Sequence, residues 1–134
     1  MEFKTLCGII AVLSIAEALL ILAGFAEPLS TYSPINVVFS LLGLLIVFYF
    51  AWASREALIE TAKKSGIAGA LSTIVFILAS FLSKATGHPV FGISTGSDLT
   101  LWILFLVNIL VNAAIFAVVG SVSHLLSGKM RKKN

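Results

Sequence analysis

The sequence predicts an all-α fold of four hydrophobic, membrane-type helices in two antiparallel hairpins, forming one domain over residues 1–134. Three observations predict it. Long apolar runs at Leu6–Phe25, Ile35–Ala53, Ile67–Leu82 and Leu99–Leu126 fill the chain. Of its residues 59% are hydrophobic and only 11% charged, more apolar surface than a single core of this size hides from water. The runs are continuous rather than alternating, which argues against strands, and lipid accepts sheets only as closed barrels. An apolar run of roughly 20 residues crosses the hydrocarbon as a helix, so four crossings fit. The outside of these helices must be covered by a bilayer, by neighbouring copies, or by first one and then the other.

Helix one is expected over residues 5–25. Lys4 before an apolar stretch and the small residues of Gly24-Phe25-Ala26 resemble a signal peptide, but the segment is read as a retained first helix. Glu27-Pro28 and Ser30-Thr31-Tyr32 make a short loop. Helix two has a clear start: Ser33 can cap it, and Pro34 suits the first helical position, where its missing N–H costs nothing. It is expected to continue through Ser54–Lys64, a stretch of good helix formers with Glu60 and Lys64 as an i,i+4 pair. Ser65-Gly66 would end it with glycine as the left-handed cap, giving a helix over 34–64, roughly 45 Å long. Helix three is expected over 67–85, ended by Gly87-His88-Pro89. A turn-rich loop with Gly92, Ser94, Thr95, Gly96 and Ser97 follows, and Ser97 or Asp98 caps helix four, expected over 98–126. At that length it must tilt, kink or project. Residues 127–134 are read as a basic C-terminal tail.

Loop charges give the firmest inference. Four crossings place the N-terminus, the middle loop and the C-terminus on one side. That side carries Lys4, Arg55, Lys63, Lys64, Lys129, Arg131, Lys132 and Lys133, and the other only Lys84. The positive-inside rule then puts both termini in the cytoplasm, and Trp52 and Trp102 fall near opposite membrane faces as belt residues.

Few residues suggest chemistry. Glu17 lies mid-way along helix one, and an ionisable group at that depth is a functional candidate. No Lys or Arg occupies any apolar run to pair with it, so the carboxyl is expected to be protonated or bonded to a polar neighbour. Its role is either an interhelical hydrogen bond or proton exchange. Asn108 and Asn112 share a face of helix four; such amides glue helices together or line a path, and Glu17 is their expected partner. His88 and His124 fall on opposite sides, so no metal site is expected. The single Cys7 allows neither an internal disulfide nor a cysteine-built metal centre. There is no Ser-His-Asp constellation, phosphate loop or nucleotide fingerprint, so neither an enzyme nor a cofactor is expected. Arg55, Lys63, Lys64, Lys129, Arg131, Lys132 and Lys133 form a basic face that meets either anionic lipid headgroups or a polyanion such as double-stranded DNA, without sequence preference.

Two resemblances follow. Glu17 within Ile15-Ala16-Glu17-Ala18, in the first of four short helices, resembles the small multidrug resistance transporters. That resemblance implies proton exchange against cationic drugs through Glu17. The third helix has no Trp and carries its glycines only at its start, which departs from that family. The whole-chain profile is similar to the hydrophobic coat proteins of tailed, spindle-shaped archaeal viruses. Length, helical hairpins, a basic C-terminus and a composition with no Gln and four Asn carry that similarity. It implies a structural subunit that enters the host membrane and then self-assembles into a virion shell. The cytoplasmic basic face would become the interior, facing the genome. The alternative expectation is a small four-helix transporter or an accessory subunit of a membrane complex.

Overall fold

The computed structural model describes residues 1–91 and 98–134. Four helices account for most of them: α1 (Phe3–Leu22), α2 (Pro34–Ala53), α3 (Leu58–Thr86) and α4 (Asp98–Lys133), with one 3-10 turn at Leu29–Thr31. There is no strand among the described residues, and each of the four helices is long and apolar enough to cross a membrane. The expected loop through Gly92, Ser94, Thr95, Gly96 and Ser97, with the cap at its end, lies outside the described residues.

Sequence and structure agree best where the signal is local. Ser33 caps α2, its Oγ accepting from the Asn36 N–H at 3.5 Å, with Pro34 in the first turn. Gly87 closes α3 in the left-handed conformation (φ 75°) that a side chain disfavours.

Several helix boundaries differ from expectation. Helix two does not run to Lys64; it stops at Ala53, and α3 starts at Leu58. The chain turns at Ser54, which is extended (ψ 136°). Its Oγ accepts from the Glu56 N–H at 3.3 Å and shares a hydrogen bond of 3.0 Å with Thr61 Oγ1. Twenty residues already give α2 about 30 Å, a bilayer's hydrocarbon thickness, so the turn falls where water can solvate it. Ser65-Gly66 is therefore helix interior rather than a cap. Residues 127–134 are not a free tail either: α4 continues to Lys133, ending in Arg131, Lys132 and Lys133, cations that favour a helix C-terminus. Helix one ends at Leu22 instead of Phe25.

The packing is consistent with the two expected hairpins, α1 with α2 and α3 with α4, which join side by side into a four-membered ring. α3 packs most extensively on α4, α1 leans on α3, α2 leans on α4, and α1 and α2 touch less. Small residues explain the α3–α4 contact. A Cβ on Gly69 would fall 2.6 Å from the Asn112 carbonyl oxygen, and one on Gly66 3.3 Å from that of Ala113. Close backbones are how helices associate when lipid competes for their apolar faces. Ser123 adds a bridge to α2, its Oγ donating to the Phe48 carbonyl at 2.6 Å.

Two apolar clusters divide the interior. Leu6, Ile10, Val47, Phe50, Ala51, Ala68 and Phe116 fill the end that holds the N-terminus and the Ser54–Ala57 turn. Ala18, Ile21, Leu22, Phe76, Ala79 and Val90 fill the opposite end. Trp52 and Trp102 sit at these two ends, Trp52 stacked on Phe48 and Trp102 edge-on to Phe105.

Candidate functional site

A cavity of about 560 Å³ lies between the two clusters, lined from all four helices. Gly43 of α2 is in its wall beside Phe116 and Ile10, with room for a methyl at ordinary contact distance. Val37 and Leu41 of α2 and Val111 and Ile115 of α4 line it while also lying exposed on the outside of the bundle. It therefore opens sideways between α2 and α4, where acyl chains run in a membrane-spanning chain.

Glu17 is the cavity's acidic residue. It is 5% exposed, its Oε1 is buried without a partner, and it makes no hydrogen bond to the described residues. Ser14, one turn earlier, shares a hydrogen bond of 2.7 Å with Ser72 and ties α1 to α3 beneath it.

The expected pairing of Glu17 with Asn108 and Asn112 is not what the structure holds. Asn112 Nδ2 donates to the Gly69 carbonyl at 2.9 Å and to Thr73 Oγ1 at 3.0 Å. Those bonds tie α4 to α3, so the amide is helix glue, with α3 and not Glu17 as its partner. Asn108 is exposed rather than buried, and its Nδ2 donates to the Leu104 carbonyl of its own helix at 2.9 Å. The structure nonetheless brings Glu17, Asn108 and Asn112 to the walls of one cavity.

Sequence reasoning missed Asn36, which is 3% exposed and lines the same cavity. Its Nδ2 donates to the carbonyls of Glu27 (3.0 Å) and Pro28 (3.2 Å), pinning the α1–α2 loop, while its buried Oδ1 has no donor. An asparagine in the first turn of a helix is ordinary, and only the loop folding back on it distinguishes this one.

The basic residues gather at one end, as the loop charges suggested. Met1, Phe3, Arg55, Glu56 and Lys64 line a single hollow there. The residues are not equivalent, however. Lys64 pairs with Glu56 at 2.5 Å and lies 5.8 Å from the centre of the Phe3 ring. Lys63 pairs with Glu60 at 3.2 Å, so the expected Glu60–Lys64 pair is replaced by Glu60–Lys63. Arg131 donates to the Trp52 carbonyl at 2.9 Å. Arg55, Lys129, Lys132 and Lys133 are exposed and have no partner among the described residues.

His88 packs against Gly24 at the other end of the bundle from His124. Among the described residues no group of three His, Cys, Asp or Glu side chains is placed to hold a metal ion. The chain matches no protein-family model, no curated protein and no solved structure.

Proposed function

We propose that this protein is a membrane-inserted structural subunit that self-assembles into a coat, exchanging lipid for neighbouring copies along its apolar faces. The observation that supports this most is how little of the outer helices the bundle covers. Only 17% of the most apolar stretch of α4 and 28% of that of α2 is buried, against 50% in α3. A row of large side chains (Leu106, Leu110, Val118, Val122, Leu125) faces outward along α4. Such a surface is stable in lipid or against another copy of itself, and tight packing of small and apolar side chains lets the second replace the first. Arg55, Lys129, Lys132 and Lys133 give the assembled shell one cationic face, suited to a nucleic-acid genome bound through its phosphates.

Negative-stain electron microscopy of the purified protein after detergent removal tests this reading. Tubes, spindles or sheets support it; uniform detergent-sized particles oppose it. The Glu17 cavity favours a second reading, a small proton-coupled transporter. In proteoliposomes, export of a cationic dye driven by a pH gradient and lost in Glu17→Gln would replace the coat reading with that one.

A further inference from the structure

We propose that the cavity between α2 and α4 is a binding site for a membrane-borne amphiphile with a primary ammonium head, the head held by Glu17 and Asn36 and the tail lying in the lateral opening. The hydrogen-bonding groups left over in the walls carry this assignment. Each asparagine amide offers two N–H donors and one carbonyl acceptor. Both donors of Asn36 are engaged with Glu27 and Pro28, and both donors of Asn112 with Gly69 and Thr73. Asn108 donates into its own helix. No described donor reaches the three amide oxygens or the Glu17 carboxyl. No Lys, Arg or His among the described residues lines the cavity. The hydroxyls of the serines, Thr73 and Tyr32 serve either way, so the fixed groups of the walls leave a surplus of acceptors and one acidic group with no countercharge.

A primary ammonium complements that surplus: it brings three donors, no acceptor and a positive charge. A hydroxyl brings one donor and no charge. A quaternary ammonium brings charge and no donor. Intramembrane carboxyls ordinarily find a pairing group, and here the protein supplies none. The volume suits a small ligand, since pockets of roughly 300–1,000 Å³ take drug-sized molecules. Apart from the hydroxyls of the serines, Thr73 and Tyr32, the remaining lining, including Leu13, Leu44, Phe76 and Ile115, is apolar, and in a membrane-inserted chain a lateral opening faces lipid. The ligand therefore arrives along the bilayer. A lipid amine headgroup and a free alkylamine share this chemistry.

Titration calorimetry of the full chain in neutral-detergent micelles, with octylamine, octyltrimethylammonium and octanol as probes, tests the site. Octylamine should bind saturably, one per chain, and about tenfold or more tightly than either of the others, as expected for charge-assisted hydrogen bonds. Glu17→Gln, which keeps side-chain size, should weaken octylamine by a similar factor while the helical circular dichroism stays intact. Equal binding of all three probes to the wild type overturns the proposal, because it describes partition into an apolar groove. Equal binding of the two ammonium probes also overturns it, because charge alone then suffices. These comparisons need no variant, so a poorly folded Glu17→Gln leaves the test decisive. Nanodiscs identify the source: weaker octylamine binding when phosphatidylethanolamine replaces phosphatidylcholine supports the site with a lipid head as occupant, and unchanged saturable binding supports it with a free amine.

Discussion

Arg131, in the last turn of α4, donates through Nη2 to the carbonyl of Trp52 at the end of α2. The last carbonyls of a helix lack intrahelical partners, and a guanidinium answers both their hydrogen-bonding need and the negative end of the helix dipole. One member of the basic face is thus a structural clasp between the two outer helices. Arg131→Gln should lower stability by about 1 kcal/mol or less, since the contact is exposed. The neighbouring Lys132→Gln should leave it unchanged. Thermal unfolding in detergent, followed by circular dichroism, separates the two; equal effects would remove the clasp.

Gly69 and Gly128 should respond oppositely to alanine. At Gly69 a methyl meets the Asn112 carbonyl at 2.6 Å and Phe116 at 2.8 Å, so α3 and α4 must part. The expected loss is about 1–3 kcal/mol, the usual cost of overpacking. At Gly128 nothing lies within 4 Å, and Gly128→Ala should stabilise the end of α4 by about 0.5–1 kcal/mol through helix propensity. Paired melting curves decide, and a neutral Gly69→Ala would show that the α3–α4 contact is looser than described.

The two amides of α4 make a similar contrast. Asn112→Leu removes bonds to Gly69 and Thr73 on α3 and should cost about 0.6 to 1.7 kcal/mol, from the average to the maximum found for interhelical hydrogen bonds in a membrane protein. Asn108→Leu removes only a bond within its own helix and should be close to neutral. Denaturant titration in mixed micelles measures both, and a larger loss at Asn108 would contradict the assigned partners.

How much of this was legible beforehand depended on the range of the interaction. Ser33-Pro34 announced the start of α2 because a cap acts within three residues. Glu17 stood out because a carboxyl in an apolar run needs no partner to be conspicuous. The turn at Ser54–Ala57 did not, since Ser54–Lys64 consists of good helix formers and the turn is held by Thr61 and by the Glu56–Lys64 pair. Gly66 read as a terminator because its reason for being glycine lies across the interface, at Ala113. The cavity was invisible for the same cause: residue spacing along four helices does not reveal that α3 separates α1 from α4 in the ring, or that Asn36 faces the same space as Glu17.

Orientation is testable with cysteines placed where they can react. Ser65 is fully buried at the α3–α4 contact, so a cysteine there stays silent in either topology. Ala57 and Glu27 are exposed at opposite ends of the bundle. In a chain with Cys7 replaced by Ser, Glu27→Cys should react with an impermeant maleimide added outside intact cells, and Ala57→Cys only after permeabilisation. Removing one acidic residue barely alters the positive-inside signal, which counts Lys and Arg. Labelling of Ala57→Cys alone from outside would invert the topology.

The basic end should bind DNA through the residues the protein does not itself engage. Lys63, Lys64 and Arg131 already have partners at Glu60, Glu56 and the Trp52 carbonyl. Arg55, Lys129, Lys132 and Lys133 have none among the described residues, so they carry the expected phosphate contacts. Binding through phosphate charge is indifferent to sequence, and its logarithm falls by about 0.9 per logarithmic unit of salt for each phosphate neutralised on duplex DNA. Four such contacts predict a slope near −3.6 by that rule. Changing all four residues to Ser should flatten the slope and reduce the nucleic acid taken into assembled particles. That variant leaves the apolar helix faces and the Arg131 clasp unchanged. Changing Lys63 and Lys64 to Ser should alter the slope much less, because those charges are already offset. Fluorescence anisotropy of labelled DNA against salt measures the slope, and vesicle flotation gives the competing outcome. If the four-Ser variant binds DNA with an unchanged slope but no longer binds anionic vesicles, the basic end is a headgroup anchor and the genome contact is withdrawn.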